Sequence, residues 1–263
     1  TFFLTGGSES PATLCAQLAA EGFGKLAAAV GENLGTPEQK VYTGTVGQLA
    51  ASRFESLSVL LVEAAQVPSR RTQGLPDEAF ARGKVPMTKQ EVRAAVLAKL
   101  GVQPGELLWD VGAGTGSVSV ELALAAPRGR VYAVECDREA CALIRQNKEK
   151  FAVRNLTLVE GTAPAALENL PAPDAVFIGG TKGNLAAVVE AALARNPAAR
   201  VCISAIALET LSAAVAALTA HGLQAEICQI SVSRAKAAGK LHLLMANNPI
   251  FLITRADEAE KSV

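Results

Sequence analysis

Leu107-Leu-Trp-Asp-Val-Gly-Ala-Gly-Thr-Gly-Ser117 is the stretch on which the reading of this chain turns. An apolar strand runs to Asp110 and gives way to glycines at 112, 114 and 116. A helix with apolar residues at Val118, Leu122 and Ala125 follows. Glycine suits such a turn because it accepts positive φ and, lacking Cβ, lets the backbone approach a ligand. The spacing is not the dinucleotide fingerprint Gly-x-Gly-x-x-Gly, whose third glycine position is taken here by Ser117.

The next strand, Arg130-Val-Tyr-Ala-Val-Glu135, ends in an acid 19 positions after Gly116 (135 − 116). An acid at that point of a βαβ unit is placed to accept from ribose hydroxyls. Asp-x-Gly-x-Gly-x-Gly followed by such an acid resembles the S-adenosylmethionine (SAM) methyltransferases. That cofactor has no pyrophosphate, so the loop need only pass closely beneath its amino-acid part.

Composition narrows the alternatives. The chain has 263 residues, half of them hydrophobic, enough for one large domain or two small ones. Lys+Arg and Asp+Glu balance at 25 each, so no global basic field points to nucleic acid. Cys15, Cys136, Cys141, Cys202 and Cys228 form no Cys-x-x-Cys pair and no zinc spacing, and read as buried thiols of a reducing cytoplasm. No metal site is expected. No apolar run approaches the roughly 18 residues of a membrane span. The first residues lack the basic flank of a signal sequence, and without a starting Met the chain reads as a piece of something longer.

From Glu106 onward strand and helix alternate. Strands fit 106–111, 130–135, 156–160, 174–178, 200–205, 223–230 and 248–254; helices fit 115–126, 138–151, 163–169, 184–195 and 207–220. This predicts an α/β fold with a parallel sheet covered on both faces. Between the last two strands lies only a loop around Ser231–Lys240, so these two are expected to pair antiparallel at the sheet edge. Ahead of the sheet, Thr88 with Glu91 predicts a capping box opening a helix whose stripe is Val92, Val96 and Leu100. Residues 66–84, with two prolines and no periodicity, read as a linker and lead-in segment. In residues 1–65, strands are expected at 2–4, 27–30 and 57–62, and helices at 10–20, capped by Ser8 or Ser10, and 45–51. These form a poor independent core.

Two resemblances sharpen this outline. Leu4–Pro11, Val30-Gly-Glu-Asn-Leu-Gly-Thr-Pro37 and Tyr42-Thr-Gly-Thr45 resemble the C-terminal part of the tetrapyrrole methylases of cobalamin biosynthesis. The resemblance implies that residues 1–65 are an incomplete domain, without the glycine-rich cofactor loop of that family. Pro76-Asp-Glu-Ala-Phe80, Val85-Pro-Met-Thr88, Asp110–Gly116, Gly161-Thr-Ala-Pro164, Phe177-Ile-Gly-Gly180 and Ala205-Ile-Ala-Leu-Glu-Thr210 resemble the decarboxylating precorrin methyltransferases. That family implies a class I, Rossmann-like seven-stranded methyltransferase fold over residues 85–263, with its last strand antiparallel. It implies SAM as cofactor, methylation of precorrin carbon 15, loss of carbon dioxide from the carbon 12 acetate, and a tetramer. Its cofactor contacts carry over to Thr88, Gly112, Ala113, Gly114, Thr115, Gly116, Glu135 and Ala163. The sequence departs at Thr162, where an acid often meets the adenine amino group.

Methyl transfer to an electron-rich carbon is an in-line displacement in which positioning does most of the work. This agrees with a sequence lacking a nucleophile triad and holding only two histidines; no residue is assigned as catalytic. His221 is read as a helix-end cap and His242 as structural. Candidate substrate contacts are Gly180, Thr181 and Lys182 in an open loop, with Arg82 and Arg234 as cations for the substrate's carboxylates. Lys84, Lys236 and Lys240 are lesser candidates for that role. The rival readings are a methyltransferase acting on RNA or another metabolite, and a cofactor-binding module without turnover.

Overall fold

The computed structural model describes residues 1–6, 9–63 and 73–256. The chain divides into two compact units, Thr1–Arg70 and Arg71–Val263.

The first unit contains β1 (Phe2–Leu4), α1 (Pro11–Leu18), β2 (Ala27–Glu32), β3 (Lys40–Thr45), α2 (Val46–Leu49) and β4 (Ser58–Val62). Its sheet runs β1-β4-β2-β3, every pair antiparallel. Ser10 caps α1 by accepting from the Thr13 N–H at 3.1 Å; Ser8 lies outside the described residues. Thr45 and Gln48 form a reciprocal capping box on α2. Cys15, Val30, Val46, Leu49 and Leu60 make a small core. The strand β3 goes beyond the sequence reading. Residues 40–43 are all exposed, so no buried alternation marked it.

The second unit carries α3 (Gln90–Leu100), β5 (Leu107–Val111), α4 (Ser117–Ala125), β6 (Arg130–Glu135), α5 (Arg138–Lys150), β7 (Leu156–Glu160), β8 (Ala175–Ile178), α6 (Leu185–Arg195), β9 (Arg200–Ala205), α7 (Leu208–Ala220), β10 (Ala225–Ile230), β11 (Ser233–Ala238), β12 (Leu241–Ala246) and β13 (Ile250–Arg255). Seven of these strands form one sheet in the order β10-β13-β9-β8-β5-β6-β7. Strands β5 to β9 pair parallel, while β13 runs antiparallel to both β9 and β10. Successive side chains alternate faces. Leu108, Val131, Phe177 and Leu252 pack on one side with Val96 and Val118; Trp109, Val134, Val176 and Ile203 pack on the other with Val188 and Leu218.

Three local expectations need correction. The loop around Ser231–Lys240 is a two-stranded hairpin, β11 paired with β12. The helix expected over 163–169 is a single 3₁₀ turn, Ala165–Leu167. The capping box of Thr88 and Glu91 does not form. The N-cap of α3 is Lys89, without a side-chain hydrogen bond, and the Gln90 N–H donates at 2.9 Å to Asp77 from the preceding segment. Glu91 is drawn away to Arg234.

Of the stretch expected to be linker and lead-in, residues 66–72 lie outside the described residues. The part from residue 73 packs into the second unit around a fully buried arginine. Arg93 pairs at 2.8 Å with both Asp77 and Glu121, and its guanidinium carbon lies 4.6 Å from the ring centre of Phe80. It also donates to the carbonyls of Leu75 and Thr88. Glu121 accepts in addition from the N–H groups of Gly74 and Leu75. A buried charge needs partners on every side, and this arginine draws the incoming chain across α3 and α4.

Candidate active site

The glycines of the β5–α4 turn are each required by a neighbour. Gly112 has φ +72°, and a Cβ there would stand 2.1 Å from the carbonyl oxygen of Gly180. Gly116 has φ +73°, and a Cβ would meet Ile144 of α5 at 2.9 Å. The turn is thus wedged between the loop after β8 and helix α5. Gly114, between the two glycines, has φ +56°, and a Cβ there would stand 3.2 Å from the carbonyl oxygen of Pro86.

Glu135 ends β6 with 9% of its surface exposed. Its carboxylate accepts from the Gly114 N–H at 2.9 Å, the Cys136 N–H at 2.8 Å and the Asp137 N–H at 2.9 Å. These bonds fix the acid's orientation and tie it to the glycine turn. Asp110, the acid that opens the turn, is fully buried. Its Oδ2 accepts from the Ser119 hydroxyl, while Oδ1 has no protein partner. Burial pushes its carboxyl up to about 7, the nearby charge of Glu135 adds to the rise, and the bond from Ser119 opposes it. The hydroxyl of Thr115 is likewise buried without a partner.

A cavity of about 1080 Å³ opens over this turn, at the C-terminal ends of the parallel strands. That is where open α/β sheets take ligands. Thr88, Gly112, Ala113, Gly114, Thr115, Glu135 and Ala163 line it, as do Gly180, Thr181 and Lys182. Gly116 does not; it serves the packing of α4 against α5. Thr162 lines it too, at the place where an acid was expected. Lys182 adopts φ +50°. Its ammonium pKa is raised by the adjoining Cys136 thiol, with smaller contributions from Glu135 and Asp137.

Arg82 and Arg234 are not among the lining residues. Arg234 pairs with Asp77 at 3.1 Å and with Glu91 at 2.7 Å, so its guanidinium is already held by two carboxylates. Lys84 and Lys89 line the cavity instead.

Sequence reasoning passed over the residues that hold the walls. Asn147 is fully buried, accepts from the Ala81 N–H at 2.7 Å and donates to the Thr115 carbonyl at 2.9 Å. It thereby fastens the segment before α3 to the glycine turn. Arg93 had one sequence signal, a charge beside the apolar stripe Val92 and Val96, next to a segment holding Asp77.

The family model for the precorrin methyltransferase domain matches residues 78–255. A probable cobalt-precorrin-6B C(15)-methyltransferase (decarboxylating) of Pyrobaculum calidifontis is 46% identical over 186 residues, covering 70% of this chain and 95% of that protein. The precorrin-6Y C(5,15)-methyltransferase [decarboxylating] of a Sinorhizobium species is 39% identical over 193 residues, covering 72% of this chain and 46% of that longer protein. A solved structure titled precorrin-6y C5,15-methyltransferase, from Geobacter metallireducens, superposes with TM-score 0.67 at 40% identity, covering 70% of this chain and 96% of that one.

Proposed function

The chain belongs to the precorrin methyltransferase family, and from that premise we propose that it methylates carbon 15 of a precorrin with SAM and releases carbon dioxide from the carbon 12 acetate. The observation that carries the reading is the Glu135 carboxylate, fixed by three N–H groups beside a glycine turn that lines the cavity. These residues fit the cofactor. Glu135 Oε2 takes one N–H and so keeps a lone pair for a ribose hydroxyl, and the turn from Gly112 to Thr115 would lie beneath the amino-acid part. Two buried oxygens, on Asp110 and Thr115, stand unpartnered beside it. When bound, SAM supplies an electrophilic methyl group on a sulfonium.

The chain's own residues orient and exclude water. Glu135 and the turn would set the direction of the cofactor, and Thr162 with Ala163, which also line the cavity, would hold its base. Gly180, Thr181 and Lys182 face the remaining volume, where the lysine ammonium attracts a substrate carboxylate. Loss of carbon dioxide leaves an electron pair that the conjugated macrocycle accepts, so the protein need supply no separate electron sink. Positioning of this kind accounts for up to about 7–11 kcal/mol of barrier in ideal cases.

The test is incubation of the purified chain with SAM and cobalt-precorrin-6B, followed by mass spectrometry. The expected product has gained one methyl and lost one carbon dioxide. SAM binding without any change in the tetrapyrrole would instead support a module without turnover.

Residues 1–65 we read as the end of a tetrapyrrole methylase domain, on the motifs Val30–Pro37 and Tyr42–Thr45. We place the protein in the cytoplasm as a homo-oligomer, a tetramer by family resemblance. All five cysteines are unpaired, and among the described residues no helix is long and apolar enough to cross a membrane.

A further inference from the structure

The cavity has a second wall that the cofactor does not need. In the sheet order, β13 lies three places from β5, on the side away from β6 and β7. At about 4.8 Å per strand this sets it roughly 14 Å across the sheet from the glycine turn. At this far side the cavity is lined by Ile230 and Val232, which lead into the hairpin β11–β12, and by Asn247, Asn248 and Ile250, which lead out of it. The two ends are closed on each other by the Asn247 N–H donating to the Val232 carbonyl at 2.9 Å. Aliphatic side chains with a few amide groups suit a flat conjugated ring with polar substituents at its rim.

Arg234 stands in the hairpin just above this base, opposite Met245. It is bonded to Asp77, which is 2% exposed, and to Glu91 at the start of α3. Asp77 is the meeting point. Its other oxygen takes the Gln90 N–H and the Arg93 guanidinium, and Arg93 donates to the carbonyl of Thr88 on the cavity wall. One buried carboxylate therefore links the hairpin base to the segment that carries Thr88.

We propose that the hairpin base, Ile230–Val232 with Asn247–Ile250, is the seat of the tetrapyrrole acceptor, and that Arg234 is a positioning residue that fixes this seat through Asp77 and Glu91. The proposal rests on the methyltransferase reading above. It differs from a direct role for Arg234 as a carboxylate ligand, because the guanidinium fork is filled by the protein's own acids and lies off the cavity lining.

The two roles are separated by Glu91→Gln. If Arg234 bound the substrate, removing its competitor would leave the substrate KM unchanged or lower it. If Arg234 positions the seat, Glu91→Gln raises KM in the same direction as Arg234→Ala. The expected results are an increase of about ten-fold or more for Arg234→Ala, a smaller one for Glu91→Gln, and a double variant no worse than Arg234→Ala. Arg234→Lys should recover part of the loss, since an ammonium can keep one carboxylate but not span both. SAM affinity, measured by calorimetry on each variant, should stay within about two-fold of wild type, which also verifies folding. If Arg234→Ala does not fold, Arg234→Lys and Glu91→Gln carry the comparison. Wild-type KM in these variants, or a KM lowered by Glu91→Gln, overturns the proposal while leaving the activity intact. A wild-type chain that binds SAM but turns over no precorrin overturns the activity reading itself, and the seat with it.

Discussion

Gly112 and Gly180 meet backbone to backbone: a Cβ on Gly112 would lie 2.1 Å from the Gly180 carbonyl oxygen, whereas a Cβ on Gly180 would meet nothing within 4 Å. The contact is one-sided, and it holds the turn after β5 against the loop after β8, both of which line the cavity. Gly112→Ala must displace that loop and also occupy φ +72°, so it should destabilise the fold by about 1–3 kcal/mol and weaken SAM binding. Gly180→Ala should keep the wild-type melting behaviour to within about 0.5 kcal/mol. Thermal unfolding of the two variants side by side checks the contrast, and equal losses would remove the Gly112–Gly180 contact as its cause.

Glu135 is expected to hold the cofactor's ribose. Charge-assisted hydrogen bonds contribute about 1.5–3 kcal/mol each, so Glu135→Ala should weaken SAM binding by roughly ten-fold or more. The variant also releases the Gly114 N–H, so its folding must be verified by circular dichroism. Unchanged affinity by calorimetry in a folded variant would take Glu135 out of the site.

Asp110 gives stability a pH dependence of definite sign. Its folded-state pKa of about 7 lies above the unfolded value near 3.9. Between about pH 4 and 7 the folded chain binds the extra proton, so this group's contribution is present below pH 4 and is lost as pH rises through about 7. Asp110→Asn should flatten the slope in that window, an effect on the order of a few kcal/mol. Denaturant titrations of both proteins across the window test it, and parallel slopes would show that Asp110 does not titrate there.

The Arg93 network predicts a large loss from a small change. Glu121→Gln keeps the shape but leaves the buried guanidinium short of a countercharge, which costs about 3–5 kcal/mol when such a pair is broken. Urea unfolding should show a lower midpoint with an unchanged slope. A loss below about 1 kcal/mol would mean that Asp77 alone suffices to neutralise Arg93.

One SAM is expected per chain, because the sequence holds one glycine turn of the kind described, at 112–116. Calorimetric titration giving two sites would show that residues 1–65 bind cofactor themselves, against their reading as the end of a methylase domain.

What the sequence determined by itself was whatever repeats locally. Apolar runs spaced by helices predicted the order of β5 to β9, and the run Asp110–Gly116 with Glu135 marked where the cavity would open. Such signals survive because each depends on a few adjacent residues and a strand or helix period. The strand β3 escaped because both its faces are exposed over residues 40–43, which erases the period. Tertiary structure decided the rest through contacts between distant residues. Thr88 and Glu91 had the spacing of a capping box, but Asp77 reached Gln90 first and Arg234, 143 residues away, claimed Glu91. Arg234 looked like a free cation in a loop. In the fold it is the far end of a chain of carboxylates and guanidinium groups that begins at the buried Arg93. A charge removed from water must find a countercharge wherever the packing places one, and no local pattern records which residue that will be.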